Sequence, residues 1–267
     1  MDAAALTGTE IDALLAAAEA AVAAAAAVIR PLFRNVPPAE LKSDHSPVTI
    51  ADRAAERAMR DVLATRFPDH AILGEEYGET NAGARLRWVL DPIDGTRAFI
   101  TGRPLFGTLV GLLDNGRPLL GMIDQPVTGE RWTGITGRRT VFRGGFGGTI
   151  GCRRCATVGE AELGCTSPLM FGPADTRRWQ RLAEAAARAS FGGDCYGYGL
   201  LALGHIDIIA EADLKLWDWA ALVPVIEGAG GRMTDWHGAT LHEGGDGRAL
   251  AVGDPALLKP VVDLLGG

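Results

Sequence analysis

The stretch RWVLDPIDGTRAFITG, residues 87–102, sets two acids, Asp91 and Asp94, on either side of Pro92 and Ile93. Apolar residues precede the pair, and Gly95 and Thr96 follow it. Two carboxylates that close repel each other unless a cation lies between them. Further acids stand at expected ends of strands or helices: Asp52, Glu75 beside Glu76 in GEE, and Asp218 in LWDWAA. Each has a plain structural explanation. Asp52 could favour a helix dipole, Asp218 could cap a helix, GEE could be a solvated turn, and DPID a tight turn closed by an Asx bond. Together they offer hard oxygen ligands from separate elements. Mg²⁺ takes such ligands in an octahedron, with few carboxylates per ion and several retained waters. Gly95 permits close backbone approach to an anion, and Thr96 adds a hydroxyl and an amide. A helix opening at Gly95 would aim free N–H groups at a phosphate. Carboxylates for metal beside amides for phosphate imply metal-assisted phosphate ester hydrolysis. Two ions roughly 3.5–4 Å apart would activate water and stabilise the leaving oxygen.

These residues need elements to hold them. Residues 49–67 form an expected amphipathic helix. Ala51, Ala55, Ala58, Met59 and Val62 make its inward face and Arg53, Glu56, Arg57 and Arg60 its wet face, with Asp52 in the first turn. A longer Ala-rich helix precedes it, with Thr9 as its expected cap and Pro31 near its end. AILG runs as a strand into GEE, and LRWVL as a strand ending at Asp91. Asp114-Asn115-Gly116 between two apolar runs signals a hairpin, and another strand is expected near residues 131–135. Further on, Asp175 is expected to cap a helix over DTRRWQRLAEAAARAS. A second helix should begin near Asp218 and close at residues 228–231, and Asp254-Pro255 should open the last one. Helices mixed with strands in both halves imply a layered α+β or α/β architecture. It is expected as an N-terminal subdomain, 1–146, with most of the metal-ligand candidates, and a C-terminal one, 147–267, with Asp218.

At 267 residues, 47% hydrophobic and 22% charged, the chain can bury a substantial core unaided. Its net charge of −7, with no basic stretch interleaved with aromatics, argues against a nucleic-acid surface. Cys152 and Cys155 form a C-x-x-C without the second pair or spaced histidines that zinc needs, so the cysteines are expected as reduced thiols. The segment LLAAAEAAVAAAAAVIRPLF is interrupted by Glu19 and follows no basic region. It is expected as a packed helix rather than a signal peptide or membrane span, and the protein as cytoplasmic.

GEE, DPIDGT and WDWAALVPVIEGAGG occur in the order and spacing of the inositol monophosphatase-like family, and the resemblance runs from about Lys42 to Gly231. It implies an αβαβα sandwich like that of fructose-1,6-bisphosphatase and a lithium-sensitive, Mg²⁺-dependent phosphatase. Two or three Mg²⁺ ions per site, or Mn²⁺, and a homodimer are implied with it. Carried over, Glu75, Asp91 and Asp94 would ligate metal through carboxylates, Ile93 through its carbonyl, and Asp218 would complete the second metal site. Asp94, Gly95 and Thr96 would contact phosphate. Thr96 and Glu75 would orient the attacking water, Asp52 would assist a weaker metal or its water, and Lys42 would stand near the entrance.

DGTRAF, GMIDQPVTGERWTG and GGDCYGYGLLALGHIDIIAE resemble the histidinol-phosphate phosphatase branch, which places Arg97 beside the site. Such a substrate carries an amine and an imidazole, so acids should line the far end of its pocket. Asp194 and Glu211 are the candidates, although Asp194 could instead cap a helix and Glu211 could pair with Lys215. A phosphatase for inositol or sugar phosphates and a non-catalytic metal-binding relative are the rival classes.

Overall fold

The computed structural model describes residues 6–35, 40–41 and 47–266; Lys42 lies outside them. Helix α1 (Gly8–Leu32) starts from Thr7, not Thr9. The Thr7 hydroxyl accepts from the Glu10 amide and the Glu10 carboxylate accepts from the Thr7 amide, a capping box that needs an acid three residues on. Helix α2 (Ile50–Arg66) repeats the device with Thr49 and Asp52. Between them β1 (Glu40–Leu41) pairs with β2 (Pro47–Val48).

Seven strands form the first sheet: β3 (Ala71–Gly74), β4 (Gly78–Thr80), β5 (Leu86–Asp94), β6 (Gly107–Asp114), β7 (Arg117–Gln125), β8 (Glu130–Ile135) and β9 (Val141–Arg143). Their order is β4-β3-β5-β6-β7-β8-β9, with β3 and β5 parallel. After a short α3 (Thr96–Ile100), the second half supplies β10 (Glu162–Cys165), α4 (Pro173–Ala185), β11 (Arg188–Phe191), α5 (Asp194–Ala202) and β12 (Ile208–Glu211). It continues with α6 (Leu216–Trp219), α7 (Leu222–Gly228), β13 (Arg232–Thr234), β14 (Ala249–Val252) and α8 (Leu258–Gly266). Its five strands run β11-β10-β12-β14-β13.

Side-chain alternation along the strands builds the layers. On β5, Trp88 and Leu90 pack with the Leu14–Ile29 face of α1 and with Ala55 and Met59 of α2, while Val89 points the other way, to Trp219 and Leu222. On β12, Ile209 joins that middle layer, whereas Ile208 and Ala210 pack outward with Trp179, Leu182 and Val261 of α4 and α8. The result is helix, sheet, helix, sheet, helix. Helix α1 is long and apolar enough to cross a membrane by length and composition. Its apolar face, Leu14, Ala18, Ala21, Val22, Ala25 and Ile29, is nevertheless buried in the first core.

Other local expectations change as well, and the single helix expected from Asp218 to residues 228–231 is divided into α6 and α7. Asp175 does not cap α4: Gly172 does, with Pro173 entering the helix, and Asp175 pairs with Arg178 and Arg248. The C-terminal end of the expected helix pairs instead with β10 as β11. Glu56, expected on the wet face of α2, is fully buried. The four cysteines are free thiols.

Candidate active site

Three of the acids, Asp91, Asp94 and Asp218, converge at the C-terminal end of β5, and Glu75 and Asp52 lie outside that group. In a regular strand Asp91 and Asp94, three residues apart, would point to opposite faces. Against β6 the register moves from Asp91 opposite Leu109 to Asp94 opposite Gly107, three residues against two. This one-residue bulge turns both carboxylates to one side. The strand therefore runs three residues beyond its expected end. Asp91 Oδ1 accepts from the Ile93 amide at 3.0 Å, and Asp94 Oδ2 accepts from the Cys195 amide at the start of α5 at 2.5 Å. Asp218, in the first turn of α6, accepts from the Lys215 amide at 2.6 Å. Oxygens of Asp91, Asp94 and Asp218 all lie within 4.8 Å of one another.

Burial raises Asp91 and Asp94 well above the usual carboxylate range. Glu75 and Asp94 add to the rise at Asp91, and Asp194 and Asp218 to that at Asp94. Asp218 is pushed up to about 7 by burial, against the Lys215 amide that stabilises its anion. Half-buried and buried oxyanions that oppose one another's ionisation suit a polyvalent cation, and an all-oxygen donor set selects a hard one such as Mg²⁺ or Mn²⁺.

Glu75 follows β3, where its amide donates to the Leu90 carbonyl at 3.2 Å, and it lines the adjoining cleft. The Thr96 hydroxyl lies 3.3 Å from Asp52 Oδ1 and 3.2 Å from the Ile93 carbonyl. Asp52 is buried, which raises its pKa, and the Thr49 hydroxyl and amide oppose that rise. Gly95 caps α3 at φ +93°, and a Cβ there would meet Asp194 Cγ at 2.9 Å, so both backbone and space demand glycine.

The cleft, about 700 Å³, is lined by Glu75, Gly95, Thr96, Arg97, Arg103 and Asp194 among others. Arg97 is exposed on its wall. Asp194 begins α5, and its amide donates to the Thr166 hydroxyl at 3.1 Å. Burial and Glu211 push it up to about 7, against Arg103 and Arg97. Glu211 ends β12 and is buried. It accepts from the Thr166 amide at 2.5 Å and the Tyr198 hydroxyl at 2.9 Å, and Lys215 pairs with Asp213 rather than with it. Burial raises its pKa, against those hydrogen bonds. Asp194 and Glu211 also share a chamber of about 160 Å³ whose walls include Cys165, Ile206 and Ile209. A separate cavity of about 570 Å³, between residues 214–219 and 240–248, holds none of these acids.

Sequence reasoning missed Thr166, Tyr198 and Arg103. Thr166 follows the end of a strand, where ligands of α/β sheets collect, and Tyr198 lies one helical turn from Asp194; both signals were available. Arg103 had none.

A carboxyl raised by folding contributes stability that is full below its unfolded pKa, near 4, and lost as pH climbs through its folded value. Asp218, at about 7 and in the cluster that a cation would neutralise, places that loss in the weakly acid to neutral range. The melting-temperature gap between Mg²⁺-saturated and metal-free protein should therefore widen from about pH 5 to about pH 8. Parallel thermal melts in chelator and in Mg²⁺ measure this, and a gap constant with pH would contradict it.

Residues 10–261 match the inositol monophosphatase family. The chain belongs to that family. It is 47% identical over 235 residues to the chloroplastic bifunctional phosphatase IMPL2 of Arabidopsis thaliana, covering 87% of this chain and 67% of that protein. It is 36% identical over 215 residues to the histidinol-phosphatase of Mycobacterium tuberculosis, covering 77% and 80%. Among solved structures, an inositol monophosphatase from Zymomonas mobilis superposes with a TM-score of 0.87 at 44% identity, covering 98% of this chain and 100% of that one. The layered sandwich is that of inositol monophosphatases. The family is generally Mg²⁺-dependent, and the cluster of Asp91, Asp94 and Asp218 suits that chemistry.

Proposed function

We propose that this inositol monophosphatase-family enzyme hydrolyses L-histidinol phosphate to L-histidinol and phosphate, a step of histidine biosynthesis. The observation that carries the reading is the pair of acids, Asp194 and Glu211, on one chamber next to the metal-suited cluster. A cationic amine and an imidazole can be matched there by charge-assisted hydrogen bonds. Similarity to histidinol-phosphatases, the second from Chlorobaculum parvum at 35% identity, supports it. One observation favours inositol phosphates instead: the 44% identical solved structure is an inositol monophosphatase. Phosphate release from histidinol phosphate and from inositol 1-phosphate at equal concentration decides between them; faster release from inositol 1-phosphate overturns the proposal.

Glu75, Asp91, Asp94 and Asp218, with the Ile93 carbonyl, would hold Mg²⁺ or Mn²⁺. Divalent cations held there would supply Lewis acidity and make water a better nucleophile at neutral pH. The Gly95 and Thr96 amides, at the start of α3, would donate to phosphate oxygens, and Arg97 would screen their charge. The Thr96 hydroxyl can donate its one proton to Asp52 Oδ1 or to the Ile93 carbonyl; donated to Asp52 once a cation takes up that carbonyl, it would leave an oxygen lone pair to accept a hydrogen bond from the attacking water, which Glu75 would also orient. Thr96→Ala should therefore lower kcat more than it raises KM, because the lost interaction orients the attacking water rather than the bound ester. Steady-state kinetics with histidinol phosphate test this; a raised KM at unchanged kcat would assign Thr96 to binding alone.

A further inference from the structure

We propose that Glu56 is a positioning residue that sets the Glu75 carboxylate for metal binding; this rests on the reading of Glu75 as a ligand. Glu56 is fully buried on α2. One carboxylate oxygen, Oε2, accepts from the Glu76 amide at 2.7 Å. The other, Oε1, accepts from the Tyr77 amide at 3.3 Å and from Arg60 Nε at 2.7 Å. The two amides are those that directly follow Glu75, so the Glu56 side chain holds the turn that presents it. Gly74, the residue before Glu75, leaves the space: a Cβ there would lie 2.1 Å from Glu56 Oε1. The turn is thus gripped on both sides, by the Glu75 amide on the Leu90 carbonyl of β5 and by Glu56 on the next two amides.

The same helix face carries Asp52 one turn earlier, at the i,i+4 spacing that stacks side chains. Asp52 reaches the Thr96 hydroxyl and Glu56 reaches the Glu75 turn. Helix α2 therefore fixes two parts of the site in one register. Arg60 also bonds the carbonyls of Ile72 and Gly78, before and after the turn, and so clamps the base of the same β3–β4 hairpin. Glutamine is a close isostere of Glu56 but keeps one acceptor oxygen, and its amide end turns two donors toward an N–H that needs an acceptor.

Partners that orient metal ligands typically contribute about ten- to a hundredfold in metal affinity. Mn²⁺ binding to wild type, Glu56→Gln and Glu56→Asp is measured calorimetrically, together with the melting temperature of each protein without metal. The aspartate variant keeps the charge but withdraws it by one methylene. The proposal expects Mn²⁺ affinity to fall about ten- to a hundredfold in both variants, with metal-free melts that stay cooperative although lowered, since the buried Glu56 carboxylate is bonded to Arg60 and two amides. Raised Mn²⁺ should then restore kcat with KM for the phosphate ester unchanged. Unaltered Mn²⁺ affinity in either folded variant overturns the proposal. Loss of cooperative melting in both would make Glu56 a determinant of the fold and overturn it equally. Failure of the wild type itself to bind Mn²⁺ would instead sink the reading of the acidic cluster on which the proposal rests.

Discussion

Asp94→Asn is expected to lower kcat by more than about a hundredfold, beyond the upper end of what altering an outer-shell partner costs. Asp94 stands where two demands meet. Its carboxylate lies within the cluster formed with Asp91 and Asp218, and one of its oxygens accepts from the Cys195 amide. Asparagine can still accept that hydrogen bond through its carbonyl oxygen, so the junction between β5 and α5 survives. What it loses is the anionic charge, in a place where burial and neighbouring acids already oppose ionisation. Without metal the variant should be at least as stable as wild type, because one repelled carboxylate is gone. With Mg²⁺ it should gain less in melting temperature than wild type does. A fall in kcat with a preserved metal-free melt isolates the metal-binding role. Near-normal turnover in a folded Asp94→Asn protein would remove Asp94 from the metal site.

The acids at 52, 75, 91, 94 and 218 can be read from the chain because residue type and position at element ends suffice to suggest hard-cation chemistry. The layers can be read as well, since period-two alternation on β5 and β12 and the apolar faces of α1 and α2 mark which side is buried. The bulge between Asp91 and Asp94 cannot, because it depends on the register against β6. Glu56 misleads for a related reason. A charged side chain on an amphipathic helix is assigned to water by type, and only the missing Cβ of Gly74, eighteen residues on, opens a buried place for it. Asp194 is legible as an acid after two glycines, but its φ of +44° and its position over Gly95 follow from the packing of α5 against the end of β5.

Selection between phosphate esters must come from the end of the pocket away from phosphate, since metal-suited acids and the Gly95–Thr96 amides would treat histidinol phosphate and inositol 1-phosphate alike. Glu211→Gln and Asp194→Asn are the informative changes, and both are compatible with the fold. Glutamine at 211 keeps an acceptor for the Thr166 amide, and the Tyr198 hydroxyl can turn to accept from the new amide. Asparagine at 194 tolerates the positive φ that most residues resist. A hydrogen bond to a charged group contributes about 1.5–3 kcal/mol, or about ten- to a hundredfold in kcat/KM. Asp194, poised at about 7 in the free protein, would be drawn into its anionic form by an adjacent ammonium, so its contribution should grow on binding. Each variant should thus lose about ten- to a hundredfold in kcat/KM for histidinol phosphate, while hydrolysis of glycerol 2-phosphate, which offers no cation, changes little. Equal losses on both esters would make the two acids structural supports. A larger loss on glycerol 2-phosphate would mean that they serve hydroxyl groups, and the polyol reading would then account for the pocket better than the amine.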